Sequence, residues 1–467
     1  MIHPSPLRRI TSSLLIVTFL VSAGRELGAG SWTTAVSGVA LTLFILLEWS
    51  GLALISRLTF SVAIAVVAAF TALDLVSLEL VEKAFVRATF FAFFVTSLDI
   101  LRSAAQTSPM IRRCGKLIVD QPPGRRYGVL TFGTHLFGVL LNMGSLNLLG
   151  TMVRRSIDTD QTDVEPRIRE LRLQRMSMAL IRGFCAIPLW SPTSVSVIIV
   201  VTALPNVTWF DAAPYAMATA FSFIMLGWLV DRLSFPRPTN LQTPGSLKTV
   251  LLALMPLLVL NIVVLGTAFT ISQITSLRLI GSLLICIPAF GVGWIVVQYA
   301  RAGHGRTLRL SQRRLWNKIF PAFSDVRSEI GILASSAFLS VILLPQIDVA
   351  ALSNFITLHD LGQSTVLILT FWTVVLLAPL GINPIITVLL AVDILATLPG
   401  QDISPYLILF VCTMGWTLVT GFSPFAAALR LTCRCIRTSP LRFGLVWNRV
   451  FSLCVFAGAS LFLFVIA

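Results

Sequence analysis

Several small polar residues stand beside proline or glycine inside runs that are otherwise apolar. Ser191 and Ser423 each precede a proline, in Ile187-Pro188-Leu189-Trp190-Ser191-Pro192-Thr193-Ser194 and Thr420-Gly421-Phe422-Ser423-Pro424-Phe425. Asn383 does the same in Pro379-Leu380-Gly381-Ile382-Asn383-Pro384, and Asn142 and Ser145 form a fourth cluster, without proline, in Leu141-Asn142-Met143-Gly144-Ser145-Leu146-Asn147. Ser and Asn cap helix starts, and Pro is favoured at the first helical position. Each pair therefore predicts a helix that stops and restarts, with Ser191, Asn383 and Ser423 as N-caps. A helix start carries free N–H groups and about half a positive charge. Four starts aimed at one region of low dielectric hold an anion without Lys or Arg, and no basic residue lies at any of the four breaks. The expected site is Asn142, Ser145, Ser191, Thr193, Ser194, Asn383 and Ser423, binding a small anionic solute. Unwound carbonyls beside the breaks could coordinate Na⁺, and no other cofactor is expected.

Other chemistry is sparse. Of the histidines only His135 falls in membrane-embedded sequence, about two turns before Asn142, where it either relays protons or packs against a neighbour. Asp325, Arg327 and Glu329 read as an interfacial salt-bridge cluster, and Asp393 as a solvated position. The 7 cysteines include no CxxC, so neither a disulfide framework nor a zinc site is indicated, and no metal site is expected. There is no Walker loop, HExxH or nucleophile elbow. The reading is a secondary transporter rather than an enzyme. The alternative is an integral-membrane enzyme or lipid-linked glycan handler, whose site would lie at a membrane face.

The scaffold that carries these residues is set by composition. The chain has 467 residues, 56% hydrophobic and 12% charged, where a soluble domain carries about 25% charged. That excludes a soluble enzyme, a disordered chain and a nucleic-acid-binding module. It predicts an all-α polytopic membrane protein of the cytoplasmic (inner) membrane, in contact with lipid. Apolar runs of spanning length fall near 10–23, 32–48, 52–73, 84–101, 177–203, 210–230, 249–272, 276–299, 319–344, 402–429 and 443–466. The first run, after Arg8 and Arg9, also resembles a signal peptide, and an uncleaved span is the preferred reading. Two interrupted stretches, 127–153 and 364–396, do not fit as single spans.

The net charge of +15 decides how to treat them. If both are re-entrant hairpins and the N-terminus is inside, segments 1–9, 102–126, 154–176, 231–248, 300–318 and 430–442 share one face. They hold 27 of the 35 basic residues, as the positive-inside rule requires. Arg57, Arg182, Arg327 and Arg449 then lie near the inner ends of spans, placed to snorkel. A crossing at 127–153 would put 102–126 and 154–176, each with six basic residues, on opposite faces. The expected topology is eleven spans and two hairpins, with the C-terminus outside. Residues 165–176 read as a surface amphipathic helix, 300–318 as a cytoplasmic linker touching anionic lipid, and 345–363 as an outer loop.

Residues 1–31 then form an extra span and outer loop. Residues 32–248 contain hairpin 127–153 and broken helix 177–203; residues 249–467 repeat that order with hairpin 364–396 and broken helix 402–429. The hairpins enter from opposite sides, so the repeats are inverted, a pattern of secondary transporters. One extra span and two inverted repeats, each with a hairpin and a broken helix, resemble the ion transporter superfamily, including the divalent anion/sodium symporters. The likeness covers roughly residues 10–466 in architecture. The matching tips read Asn142-Met143-Gly144-Ser145 and Gly381-Ile382-Asn383-Pro384 in place of that family's Ser-Asn-Thr signatures. The resemblance implies coupling to Na⁺ or H⁺, a homodimer and an elevator motion. The hairpin topology predicts that single cysteines at 120 and 169 are both labelled by an impermeant reagent from the same side of an oriented vesicle; labelling from opposite sides would make 127–153 a full crossing.

Overall fold

The computed structural model describes residues 6–159, 165–204, 207–235, 247–275, 277–300 and 303–467. Parts of the expected inside segments, at 1–5, 160–164, 236–246 and 301–302, lie outside the described residues. The chain is an all-α polytopic membrane protein, with 11 helical segments long and apolar enough to cross a membrane and no strand among the described residues. In chain order the first helices are α1 (Pro6–Glu26), α2 (Trp32–Leu47), α3 (Leu54–Ala72), α4 (Leu78–Gln106), α5 (Pro109–Val119), α6 (Pro123–Leu141) and α7 (Met143–Thr159). Next come α8 (Pro166–Cys185), α9 (Ile187–Trp190), α10 (Val195–Ala203), α11 (Trp209–Ser234), α12 (Leu247–Ile274), α13 (Leu279–Tyr299), α14 (His304–Arg314), α15 (Phe320–Ala322) and α16 (Arg327–Leu343). The last are α17 (Val349–Leu358), α18 (Gln363–Leu377), α19 (Pro384–Thr397), α20 (Pro405–Phe422), α21 (Ala427–Ile436) and α22 (Arg449–Ile466).

Three segments differ from the sequence expectation. Residues 166–176 are not a separate surface helix but the first turns of α8, which runs unbroken to Cys185. Its alternating Arg and Leu or Ile residues do not interrupt backbone bonding, so polarity alone does not end the helix. Within the 300–318 segment, expected as a linker, residues 304–314 form α14, and Arg314 donates to Gln298 Oε1 at 2.7 Å. The 345–363 segment contains α17, whose VAALSNFITL sequence is apolar enough to fold as a helix.

The chain divides into two compact units, Met1–Ser108 with Val263–Asp348, and Pro109–Ile262 with Val349–Ala467. Each unit thus draws on both of the sequence segments 32–248 and 249–467. In the first unit α4 is the central helix, packed on by α1, α2, α13 and α16. The stretch 88–98 of α4 carries no charge and must be buried on all sides, and Phe91, Phe93 and Phe94 within it are fully enclosed. Glu48, buried at the end of α2, accepts from Thr11 Oγ1 at 2.7 Å and pairs with Arg327 at 3.3 Å. Arg8 pairs with Asp325 at 3.3 Å. The expected cluster at 325–329 therefore forms ion pairs, but with α1 and the end of α2 rather than internally.

The second unit contains every expected site residue. Within it α6 and α7 meet at Asn142 and pack against each other, and α5 and α8 each pack against both. Helices α18 and α19 likewise pack together and against α20. A very close approach is at Gly183 of α8, where a Cβ would overlap the Thr131 carbonyl of α6. Overpacking at such a backbone crossing typically costs about 1–3 kcal/mol. Gly183→Ala should lower the thermal unfolding temperature of the detergent-solubilised protein, whereas Gly458→Ala, in open space, should leave it unchanged; equal melting of the two variants would contradict the crossing.

Candidate functional site

The residue before a proline is driven out of the α region to ψ of roughly +120 to +160° by the proline ring. Ser191, Asn383 and Ser423 obey this almost identically, with φ/ψ of −70/127°, −71/125° and −71/128°. The consequence is not the same at all three. Asn383 is an N-cap as expected: its side chain accepts from Ile385 N at 3.0 Å, and Pro384 opens α19. Ser191 and Ser423 instead end α9 and α20 as C-caps. Helices α10 and α21 restart three residues later, behind Ser194 and Ala426, so Pro192 and Pro424 lie in the turn. This corrects the N-cap assignment of the two serines.

The two breaks share one hydrogen-bond pattern. Ser191 N donates to Ile187 O at 3.0 Å and Ser194 N to Ser191 O at 2.9 Å; Ser423 N donates to Val419 O at 2.9 Å and Ala426 N to Ser423 O at 3.0 Å. Thr193 N and Phe425 N donate to the hydroxyls of Ser191 and Ser423, each at 3.3 Å. Each break also reaches a neighbouring helix pair. Thr193 Oγ1 donates to Val139 O at 2.8 Å, near the end of α6, and Ser423 Oγ donates to Ala378 O at 3.1 Å, just after α18. Carbonyls in the last turn of a helix lack intrahelical partners; Thr193 supplies a donor to Val139 O, and Ser423 adds one to Ala378 O, which also accepts from Gly381 N at 3.1 Å.

The remaining residues serve the same economy. Pro192 has no N–H for Pro188 O, and Ser196 Oγ supplies the donor at 2.7 Å while bonding Ser194 Oγ at 3.0 Å. Ser191 and Thr193 hydroxyls meet at 2.8 Å. Ser145 Oγ donates to Asn142 O at 2.7 Å. Asn142 takes φ 47°, a left-handed value that Asn tolerates better than most residues, and this lets α7 begin at the next residue. Ser145, Ser191, Thr193, Ser194 and Ser423 are buried, while Asn142 and Asn383 are half-buried. The Asn142 side chain and the Asn383 Nδ2 have no hydrogen-bond partner among the described residues.

The two breaks belong to one packed set: α20 packs on α8, α9 and α10, and α10 on α19. Cys185, at the end of α8, lies against Gly421. No hydrogen bond among the described residues joins the Ser191–Thr193 group directly to Ser423. His135 bridges α6 to the first break. Trp190 Nε1 donates to its Nε2 at 3.0 Å, so Nε2 must be an acceptor, and Nδ1 faces Gly183 O at 3.1 Å as the protonated nitrogen. A proton relay through His135 therefore requires Trp190 to release it. Asp393 is half-buried on α19. All 7 cysteines are free.

Arg182 was missed as a site element. It does not snorkel: it is 2% exposed. Its guanidinium donates to Asn448 Oδ1 at 3.0 Å, Tyr127 OH at 3.1 Å and Gly227 O at 3.1 Å, and lies 4.4 Å from the Phe451 ring centre. Asn448 Nδ2 in turn donates to Gly421 O at 3.1 Å, two residues before Ser423. The signal was present, since an ionisable residue inside a span is a functional hypothesis by default. Nothing local marked Asn448, which lies 266 residues away.

No family model matches the chain, and no curated protein matches it. Among solved structures the chain is similar to the YdaH transporter of Alcanivorax borkumensis, with a TM-score of 0.49 and 14% identity over 80% of this chain and 84% of that one.

Replacing Arg182 by Met removes three hydrogen bonds made by a charged donor, and each such bond is worth about 1.5–3 kcal/mol. Arg182→Met should destabilise the protein by at least about 3 kcal/mol, and Arg182→Lys should recover only part, because an ammonium cannot reproduce the planar fork. Thermal or denaturant unfolding in detergent checks this, and wild-type stability of the Met variant would refute the hub.

Proposed function

We propose that this protein is a secondary active transporter of a small anionic solute, coupled to Na⁺ or H⁺ and resident in the cytoplasmic membrane with its N-terminus inside and its C-terminus outside. The observation that carries the reading is the pair of matched breaks at Ser191 and Ser423, each tied by a hydroxyl to a carbonyl beside a neighbouring helix pair. Discontinuous helices whose N-termini face the bilayer interior are the means by which transporters hold an anion with uncharged groups. The starts of α7, α10, α19 and α21 supply backbone N–H donors, and the unengaged amides of Asn142 and Asn383 add side-chain donors. The solute class follows from that donor excess, and Na⁺ would use the unwound carbonyls.

The inverted-repeat arrangement and the re-entrant course of 127–153 and 364–396 belong to the same proposal. They are supported by the charge count and by the recurrence of one break geometry in both halves of the sequence. Because all the proposed binding residues lie in one compact unit, we favour the elevator form, in a homodimer, with that unit as the carrier.

The test is uptake by proteoliposomes. Purified protein should accumulate one or more labelled organic or inorganic anions under an imposed Na⁺ or H⁺ gradient. Asn142→Ala, Asn383→Ala and the double variant Ser191→Ala/Ser423→Ala should each cut uptake at least about tenfold, corresponding to roughly 1.4 kcal/mol, while membrane insertion is kept. Failure of every anion under both gradients, or wild-type uptake by all three variants, would overturn the proposal.

A further inference from the structure

Helix α5 is amphipathic. Ile111, Cys114, Gly115, Ile118 and Val119 are buried, while Arg112, Arg113 and Lys116 are exposed. Gly115 lies against Leu149 and Met152 of α7, where a Cβ would meet Met152 Sδ at 3.0 Å and Leu149 Cδ2 at 3.3 Å. That close approach brings Arg155, three residues beyond Met152, to the same groove. The groove has a volume of about 730 Å³ and is lined by these four cations together with Ser156 and Thr159. Asp120 is the one acidic residue lining it.

The four cations have no hydrogen-bond or ion-pair partner among the described residues. Their neighbours are engaged: Arg154 with Asp158 at 3.0 Å, Arg125 with Gln121 Oε1 at 2.8 Å, and Arg126 with Gln121 O at 2.6 Å. Like charges at i and i+4, as at Arg112 and Lys116, destabilise a helix unless something neutralises them. Guanidinium forks match phosphate oxygens two at a time, Lys adds a point charge, and hydroxyls complete the donor set.

We propose that the groove between α5 and α7 binds a phosphate group, presented either by an anionic phospholipid headgroup or by a soluble phosphate compound. The charge count places both helices' basic segments on the cytoplasmic side, where both sources occur. The site is separate from the helix breaks and uses Arg and Lys where they use none.

Full-length protein in neutral detergent is titrated with phosphatidylglycerol, with phosphatidylcholine as the zwitterionic control, and separately with sodium pyrophosphate. Lipid occupancy is read by native mass spectrometry and pyrophosphate binding by calorimetry. Phosphatidylglycerol or pyrophosphate should bind, and the quadruple variant Arg112→Gln/Arg113→Gln/Lys116→Gln/Arg155→Gln should weaken it at least about tenfold, since each surface cation contributes appreciably. The triple variant Arg306→Gln/Arg309→Gln/Arg313→Gln, on α14, should keep wild-type pyrophosphate binding and lose less lipid binding than the groove variant. Preference for the lipid assigns a headgroup site, and preference for pyrophosphate a soluble ligand. If the quadruple variant melts early, Arg113→Gln and Arg155→Gln, on separate helices, carry the comparison with smaller losses. Equal binding by wild-type and groove variants, equal loss in the α14 variant, or binding of neither probe would overturn the proposal.

Discussion

A guanidinium enclosed in an apolar unit has to be surrounded by acceptors, and the second unit is organised around meeting that demand for Arg182. Isolating a charge from water costs several kcal/mol even after relaxation, and no carboxylate among the described residues bonds to this one. Its donors are shared among a tyrosine at the start of α6, a backbone carbonyl of α11 and Asn448 at the start of α22, with the Phe451 ring against the cation. Each partner comes from a different element, so the elements must meet at one point. Asn448 passes the constraint on to Gly421, beside the second break. The first break comes after Arg182 on the same helical run, so one cation sits between the two.

The breaks themselves arise from a local steric rule and are stabilised by distant groups. Proline excludes its predecessor from the helical region, which explains why Ser191, Asn383 and Ser423 share one backbone conformation. The course of the chain beyond each break depends on the partners available. Asn383 reaches forward to cap α19, whereas Ser191 and Ser423 close the preceding helices and leave the restart to residues three positions on. The Thr193 and Ser423 hydroxyls then cross to carbonyls of neighbouring helix pairs. Much of the polarity in this region thus satisfies backbone groups, and the two asparagine amides retain unengaged donors.

Apolar runs located most of the membrane-length helices because hydrophobicity depends on composition within a window, but α2 has only 16 residues, and Gln363–Leu380, read as a hairpin arm, is long and apolar enough to cross. They did not show that the helix expected at 165–176 continues without a break into the span. Residues 166–176 and 304–314 are rich in Arg yet helical, since Arg and Leu are good helix formers and a helix end can stand in an aqueous layer. Charge counting classed Arg182 with the snorkelling residues. A span's charge content does not reveal which way a side chain points.

Composition and local sterics suffice to make this chain an all-α membrane protein and to fix where its helices must break, because burial and the proline effect act within a few residues of their cause. They also confine the expected binding residues to positions that one compact unit contains. The burial of Arg182, the clasp of Trp190 and Gly183 on His135, and the meeting of the basic face of α5 with Arg155 emerge only once the helices are assembled. Those outcomes rest on groups from separate helices, in the case of Arg182 and Asn448 some 266 residues apart. Hydrogen bonds of that kind are selected by how helices pack, which no local window of sequence encodes.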